Sequence, residues 1–175
     1  THKVPTLPPL NKKINTEYLV IGGGYTGLSA AITLAQAKQD VTLLDANSLG
    51  FGCAGRNGGF ILSGSGRLSL SAIEDKWGHT VATGMQAEFD GAVDLLKKRI
   101  TDFNMQVDLV DGPYLKLAHT VKQAEQLCAS ANHLASNFNV PSTTLSSKDL
   151  AARFGINGAY GGVELEGACL HPLKL

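Results

Sequence analysis

The stretch YLVIGGGYTGLSAAITLAQAKQDVTLLDAN, residues 18–47, decides the fold of this chain. It begins with an apolar run, Tyr18–Ile21, that has the length and composition of a buried strand. A cluster of glycines follows, and then apolar residues recur at positions 28, 31, 32 and 35, which is one face of a helix. A second apolar run, Val41–Leu44, ends in Asp45. This order predicts a strand–helix–strand unit with two parallel strands.

The glycines form a GxGxxG pattern whose spacing suits a bound phosphate group. Gly22 permits the tight turn out of the strand, and Gly24 leaves no Cβ between the backbone and a pyrophosphate. Gly27 lets the helix pack closely on the strand, and the free N–H groups at the helix start favour an anion. Asp45 stands about twenty residues further on, where a carboxylate accepts hydrogen bonds from an adenosine ribose. The unit is therefore predicted to bind an ADP-containing dinucleotide, and an acid at position 45 disfavours NADP.

A second glycine-rich stretch, SLGFGCAGRNGGFILSGSG at residues 48–66, follows the acidic strand end directly. An NAD-binding domain would normally continue with another helix and another parallel strand. An extended glycine-rich segment instead lets the backbone lie along a longer cofactor, as the pyrophosphate and ribityl chain of a flavin require. The segment favours FAD over NAD, although both cofactors share the ADP half.

The motifs VIGGGYTGLSAA and GFGCAGRNGGF resemble the amino-terminal flavin domain of the D-amino-acid-oxidase-like family of FAD-dependent oxidoreductases. Within that family the chain is most similar to the γ-glutamylputrescine oxidase-like branch of amine and amino-acid oxidases. The final stretch, GACLHPLKL at residues 167–175, resembles the point where the family's chain returns to the flavin domain. Two positions depart from the family: Asp45 stands where glutamate is more common, and Cys53 stands where small residues are usual.

The resemblance implies a set of cofactor-binding residues. The pyrophosphate of FAD would be bound by Gly22, Gly24, Tyr25, Thr26 and Gly27. The adenosine would be bound by Asp45 and Ala46. The flavin end would be bound by Gly52, Cys53, Arg56, Asn57, Gly58 and Gly59. The guanidinium of Arg56 would pair with a phosphate or favour negative charge on reduced flavin, the alternative being a structural salt bridge. Cys53 is expected to be a small packed residue, and it is also the one candidate for a covalent flavin link.

The rest of the chain predicts further helices and strands. Apolar spacing over residues 81–103 predicts a helix of about twenty residues whose apolar stripe, with Trp77 just ahead of it, packs into a core. Two apolar runs, 106–110 and 114–118, flank the turn sequence DGP and predict a β-hairpin.

Three more elements follow the predicted hairpin. Thr120 and Gln123 form a capping-box pattern ahead of a helix with apolar residues from Val121 to Phe138. The sequence SSKDLAARFG predicts a short capped helix ending at Gly155, and residues 160–165 predict a strand. By resemblance, these elements are the start of an inserted substrate domain.

The fold class is therefore expected to be α/β: a Rossmann-like FAD-binding βαβ unit followed by helices and a hairpin of a substrate domain. The predicted divisions are an extended arm (1–15), the FAD-binding unit with the second glycine stretch (16–66), the helix and hairpin excursion (67–159), and a strand returning toward the flavin domain (160–175). Two parallel strands are too few for a dinucleotide domain. We therefore expect the amino-terminal part of a longer enzyme, with the remaining carboxy-terminal part as its partner and little activity alone.

Composition excludes several other classes. Fifteen basic and fifteen acidic residues give zero formal net charge, so a nucleic-acid surface is not expected. The histidines at positions 2, 79, 119, 133 and 171 have no metal-ligand spacing, and no nucleophile elbow or P-loop lysine is present. No apolar run approaches the ~20 residues that a membrane span needs. Three widely spaced cysteines indicate free thiols in a reducing compartment, so a cytoplasmic location is expected.

The expected activity is oxidation of a small-molecule amine or amino acid. A hydride would pass from the C–H beside the amine nitrogen to flavin N5, giving an imine, and oxygen or another acceptor would reoxidise the flavin. No catalytic side chain is assigned, because substrate-facing residues are expected mostly beyond residue 175. Two alternatives remain: an NAD-linked dehydrogenase domain, and a non-catalytic nucleotide-binding module.

Overall fold

The structure is a computed structural model that describes residues 4–175. Residues 1–3, which include His2 and the start of the predicted arm, lie outside the described residues. The chain divides into two compact units. The first contains the chain up to Gly59 together with His171–Leu175, and the second is Phe60–Leu170.

The first unit contains the predicted strand–helix–strand motif: β1 (Tyr18–Ile21), α1 (Tyr25–Gln36) and β2 (Val41–Leu44). The strands are parallel, with Tyr18 opposite Val41 and Ile21 opposite Leu44. Backbone hydrogen bonds extend the pairing at both ends, from Tyr18 N to Asp40 O (2.9 Å) and from Gly22 N to Leu44 O (2.7 Å). The prediction of a parallel βαβ unit is therefore confirmed.

Apolar side chains of β1 remain exposed in this unit. Ile21 is 82% exposed and Leu19 is 53% exposed. A parallel sheet is normally covered on both faces, and here each of its two strands is an edge strand. The sheet therefore positions the loops at its carboxyl end without itself forming a large core.

In the second unit a helical corner packs around a small apolar core. After β3 (Phe60–Ile61), α2 (Leu70–Trp77) and α3 (His79–Asp102) meet at Gly78, which has φ +88°. The core consists of Leu70, Ile73, Ala82 and Phe138, with Met85, Leu134 and Val140 packed against it. The long helix predicted over residues 81–103 is confirmed.

The predicted core stripe of α3 is only partly correct. Val81, Trp77 and Phe103 are each more than 40% exposed, whereas Ala82 and Gln86 are buried. The small side chain of Ala82, and not Val81, belongs to the buried core cluster, whereas Met85 packs against that cluster and Ile100 is buried, as the stripe predicts. Trp77 is at the corner, where the ammonium of Lys76 lies 4.5 Å from its ring centroid.

Two antiparallel sheets complete the second unit. One has the order β5 (Tyr114–Ala118), β7 (Gly161–Leu165), β6 (Ser142–Leu145). The other has the order β3, β8 (Ala168–Cys169), β4 (Val110–Asp111).

The predicted hairpin across DGP is wrong in its pairing, because β4 pairs with β8 and β5 pairs with β7. The intervening Gly112 N donates to Gly167 O (3.1 Å), so the whole segment lies along the returning chain.

The two later helices begin as the sequence predicts. α4 (Val121–Phe138) is capped by Thr120 Oγ1, which accepts from Gln123 N (3.2 Å), while Gln123 Oε1 accepts from His119 N (2.9 Å). α5 (Ser147–Phe154) has a complete capping box between Ser146 and Asp149 and ends at Gly155, φ +67°. Both helices and the strand predicted at 160–165 are confirmed. The strand β6 was not predicted, because STTL lacks the alternating apolar residues of a half-buried strand.

Glu74 joins three helices of the second unit. Its Oε1 lies 2.7 Å from His79 Nδ1 on α3, and its Oε2 lies 3.3 Å from His133 Nε2 on α4. The hydrogen bond from His79 is the main reason why the pKa of Glu74 lies below its ordinary value, although burial opposes it. Two of the five histidines therefore serve the helix junction.

Replacing glycines inside α3 by alanine is expected to stabilise the second unit. Gly84 and Gly91 are helical, and a Cβ at either would meet no heavy atom within 4 Å. Each change should raise the free energy of unfolding by roughly 0.5–1 kcal/mol, because glycine loses more backbone entropy on folding than alanine. Gly155→Ala is the matched control: its space is equally open, but its φ of +67° should make the substitution destabilising. Urea unfolding of the three variants measures this, and a gain at Gly155 would contradict it.

Candidate functional site

The turn from β1 into α1 is built by two glycines in contact. Gly22 adopts φ +105°, which favours glycine strongly. A Cβ at Gly27 would overlap the carbonyl oxygen of Gly22 and lie 3.1 Å from its carbonyl carbon. The helix therefore crosses the strand end at a distance that only glycine permits.

The amino terminus of α1 is an open anion cradle. Gly24 is the N-cap residue and has no side chain to cap the helix. The first helical hydrogen bond runs from Leu28 N to Gly24 O (2.9 Å), so the N–H groups of Tyr25, Thr26 and Gly27 precede it. A Cβ at Gly24 would have only Ala54 Cβ nearby, at 3.9 Å. This arrangement of space, backbone donors and helix dipole fits a phosphate group.

Asp45 lies beside the cradle and holds it by hydrogen bonds. Its Oδ2 accepts from Gly23 N (2.6 Å), and its Oδ1 accepts from Asn47 N (2.7 Å). The bond from Gly23, followed by the bond from Asn47, lowers the pKa of Asp45. The carboxylate is exposed and each oxygen keeps acceptor capacity, so it can also accept ribose hydroxyl groups. Ala46 follows it, also exposed.

Gly23 is a site residue that the GxGxxG spacing did not predict. It is buried, its N–H binds Asp45, and its carbonyl accepts from Gly50 N (2.9 Å). A Cβ here would strike the side chain of Leu49 and lie 3.4 Å from Asp45 Oδ2. The available sequence signal was the run of three consecutive glycines.

The second glycine stretch forms a compact turn in the first unit. A 3-10 helix, Cys53–Gly55, follows Gly50, which has φ +69°. A Cβ at Gly55 would overlap both the carbonyl oxygen of Gly50 and the side chain of Leu173. The segment His171–Leu175 therefore packs directly on this turn.

The predicted flavin-facing residues occupy different environments in the turn. Gly52, Cys53, Arg56, Asn57 and Gly58 are exposed, and Gly59 is buried.

The Arg56 guanidinium lies 4.6 Å from the ring centroid of Phe51, which is a cation–π contact. Among the described residues 4–175, Arg56 forms no ion pair. The alternative role of Arg56, a structural salt bridge, is therefore absent from this part of the chain.

The structure brings the three predicted groups of site residues together in the first unit. Gly24 faces Ala54, Gly23 binds Asp45 and Gly50, and Asn57 lies beside the Tyr25 hydroxyl at 3.5 Å. The glycine turn, the acid and the second glycine stretch thus lie against one another.

Comparison with known proteins identifies the family. The profile of the FAD dependent oxidoreductase family (DAO) matches residues 17–175. The chain belongs to this family. It is 30% identical over 176 residues to γ-glutamylputrescine oxidoreductase of Escherichia coli K12, covering 99% of this chain and 41% of that protein. It is also 30% identical over 177 residues to the probable oxidoreductase OrdL of Haemophilus influenzae, covering 95% of this chain and 39% of that protein.

Solved structures show the same fold. Glycine oxidase from Geobacillus kaustophilus superimposes with a TM-score of 0.68 at 15% identity, over 91% of this chain and 41% of the oxidase. L-amino acid deaminase from Proteus myxofaciens gives a TM-score of 0.65 at 16% identity, over 99% of this chain and 36% of the deaminase. The chain thus spans about 40% of the length of the relatives it matches. The resemblance stated from the sequence, the α/β FAD-binding fold and FAD as the family's cofactor are confirmed.

The described part of the chain offers neither a metal cluster nor a helix that could cross a membrane. Within residues 4–175, no group of three or more histidine, cysteine, aspartate and glutamate side chains is arranged to hold a metal ion. The helices of that same region include none with the length and apolar character to cross a membrane. All three cysteines are free.

Asp45→Asn is expected to weaken the hold on the glycine turn in a pH-dependent way. The pKa of Asp45 is lower in the folded protein than its ordinary value. The ionised carboxylate therefore contributes its full stabilisation above the ordinary pKa, and this stabilisation is lost as the pH falls through the folded-state pKa. Protection of the Gly23 amide against hydrogen exchange should therefore be lower in Asp45→Asn at pH 6. The difference from the wild type should shrink below about pH 4. NMR exchange measures this.

The control for this change is Asp40→Asn, whose carboxylate accepts a longer bond from Glu17 N, at 3.2 Å. It should leave the protection of Gly23 unchanged at every pH. A difference between wild type and Asp45→Asn that stays constant from pH 6 down to the lowest pH at which the unit remains folded would contradict the role of the carboxylate.

Proposed function

We propose that the first unit binds FAD, and that the protein carrying this chain oxidises the carbon–nitrogen bond of an amine or amino acid. The observation that carries the proposal is the open amino terminus of α1 at Gly24, bordered by Ala54 and by the anchored carboxylate of Asp45. An ADP-containing cofactor offers the two groups that this arrangement suits: a pyrophosphate for the N–H groups and a ribose for the acid.

Each predicted residue has a physical role in this proposal. The N–H groups of Tyr25, Thr26 and Gly27 donate to the pyrophosphate, and the missing Cβ of Gly24 lets the phosphate approach. Gly22 and Gly27 keep the turn tight. Asp45 accepts hydrogen bonds from the ribose, and Ala46 lies against the adenosine.

The turn after β2 contacts the flavin end of the cofactor. Gly52, Cys53, Gly58 and Gly59 present backbone and small side chains along the ribityl chain. Arg56, held over Phe51, supplies a positive charge that favours electron-rich reduced flavin. No residue of this chain is assigned a catalytic role.

Bound FAD supplies a hydride acceptor for the oxidation of a C–H bond next to nitrogen. The relatives named for γ-glutamylputrescine, glycine and L-amino acids support a small amine or amino acid as the substrate class. Oxygen or another acceptor takes the electrons afterwards. We propose that the second unit, Phe60–Leu170, belongs to the substrate domain, and that the remaining part of the same enzyme completes the site.

We also propose four functional divisions of the chain. They are an extended arm (1–15), the FAD-binding unit (16–66), the excursion into the substrate domain (67–159), and the strand that returns toward the flavin domain (160–175). Three free thiols favour a reducing compartment and hence the cytoplasm.

An absorption spectrum of the purified protein, taken before and after acid precipitation, tests the proposal. The expected result is a flavin band at about 450 nm that moves into the supernatant as FAD. Colour that remains in the pellet would indicate a covalent link and make Cys53 the first candidate. Anaerobic addition of γ-glutamylputrescine, glycine and L-amino acids to the protein expressed from its own gene should bleach this band for one of them. A colourless protein that takes up no added FAD would contradict the proposal.

A further inference from the structure

We propose that Asn57 is a positioning residue: its carboxamide shapes the turn of residues 53–59, and through the Tyr25 hydroxyl it sets that turn against the phosphate cradle. The inference rests on the proposed FAD site. It assigns Asn57 a role different from the direct cofactor contact that the family motif implied.

The carboxamide of Asn57 is used at both ends by the backbone of its own turn. Nδ2 donates to Ala54 O (2.8 Å) and to Cys53 O (3.0 Å), and Oδ1 accepts from Gly59 N (2.8 Å). A primary amide has two N–H groups and a carbonyl oxygen with two acceptor sites, so the N–H groups are shared among Ala54 O, Cys53 O and the Tyr25 hydroxyl, and one acceptor site of Oδ1 remains. Little hydrogen-bonding capacity remains for a cofactor.

The turn depends on these side-chain bonds because its backbone forms few of its own. The bonds from Gly55 N to Gly52 O (3.3 Å) and from Arg56 N to Cys53 O (3.2 Å) are long. Gly59 also adopts φ +71°, a conformation that the bond from its N–H to Asn57 holds in place. Removing the carboxamide therefore breaks the bonds that hold the 3-10 helix at Cys53 and Ala54 and the bond that holds the end of the turn at Gly59.

Tyr25 connects the turn to the start of α1. Its hydroxyl donates to Pro172 O (3.2 Å), and Asn57 Nδ2 lies 3.5 Å from the same oxygen. Tyr25 is the first residue of α1 and follows Gly24 directly. One hydroxyl group thus joins the helix, the turn and the returning segment.

The consequence for binding follows from Ala54. Ala54 belongs to the 3-10 helix whose carbonyls Asn57 holds, and its Cβ is the heavy atom nearest to the space above Gly24, at 3.9 Å. A displaced turn would carry Ala54 toward or away from the position of the phosphate. Asn57 therefore controls the width of the cradle without entering it.

The test uses Asn57→Ala, Tyr25→Phe and the double variant in the full chain. The controls are Asn11→Ala and Tyr18→Phe, which remove the same groups at partly or fully exposed positions of the first unit. Two quantities are measured: hydrogen exchange of the Gly59 amide in the protein without FAD, and the Kd for FAD by fluorescence titration. Thermal unfolding is followed in parallel.

The expected results separate positioning from direct contact. Asn57→Ala should speed exchange of Gly59 and raise the Kd for FAD, each by roughly tenfold, and Tyr25→Phe should raise the Kd by roughly threefold. Because both residues act through one turn, the double variant should lose less affinity than the product of the single losses. The midpoint of thermal unfolding and both control variants should stay close to the wild type.

Three outcomes would overturn the proposal. A higher Kd in Asn57→Ala with unchanged Gly59 exchange would mean that Asn57 contacts the cofactor directly. Faster exchange with an unchanged Kd would mean that the turn does not set the cradle. Multiplicative losses in the double variant would mean that the two residues act independently. Failure of the wild type to bind FAD would instead refute the proposed function, and the positioning role would fall with it.

Discussion

Gly24→Ala is expected to abolish tight FAD binding while the first unit stays folded. Gly24 has φ −86° and ψ −178°, which alanine adopts readily, and its Cβ would meet only Ala54 at 3.9 Å. The loss of stability at this N-cap should be at most about 1 kcal/mol. The added methyl group would occupy the space that the phosphate needs, so the Kd for FAD should rise about a hundredfold or more.

Fluorescence titration of FAD, together with circular dichroism, measures both halves of this expectation. Gly112→Ala is a matched control, since a Cβ at Gly112 would meet no heavy atom within 4 Å and the residue lies in the second unit. Undiminished affinity in Gly24→Ala would show that no phosphate lies at this helix start. A collapsed fold would show that the glycine serves the backbone instead.

In contrast to Gly24→Ala, which should leave the first unit folded, Gly27→Ala should unfold it. The new Cβ would overlap the Gly22 carbonyl oxygen, and backbone cannot move aside as the end of a long side chain can. Separating α1 from the end of β1 should cost about 3 kcal/mol or more, the upper range for added volume in a packed site. Few buried apolar groups are available in this unit to offset such a loss.

Amide hydrogen exchange across the first unit measures the effect of Gly27→Ala. Residues of β1, α1 and β2 should lose protection, whereas the emission of Trp77, which lies in the second unit, should change little. Wild-type protection in β1 and β2 would contradict the close packing of Gly27 on Gly22.

Sequence reasoning succeeded where the determining interactions are local. The βαβ unit was predictable because glycines, apolar periods and the acid lie within thirty residues of one another, and each carries its own geometric requirement. The same holds for α5, whose start and end depend on Ser146, Asp149 and Gly155 within a few positions. These features need no knowledge of distant contacts.

The remaining features depend on contacts far apart along the chain. β4 and β5 pair with β8 and β7, which lie some fifty residues later, so the local turn signal at DGP led to the wrong partner. The role of Asn57 was equally hidden, since the motif places it near the cofactor and only the structure shows its carboxamide bound to Cys53, Ala54 and Gly59. Gly23 acquires its meaning only when Asp45 and Gly50 are brought beside it.

We propose above all that the first unit binds FAD through the glycine turn and Asp45. Titration of FAD into the protein freed of cofactor, followed by flavin fluorescence and repeated with ADP and NAD as competitors, tests it most directly. FAD should bind saturably and be displaced by ADP, and NAD should compete no better than ADP. Absence of saturable FAD binding, or displacement of FAD by NAD at equal concentration, would contradict the proposal.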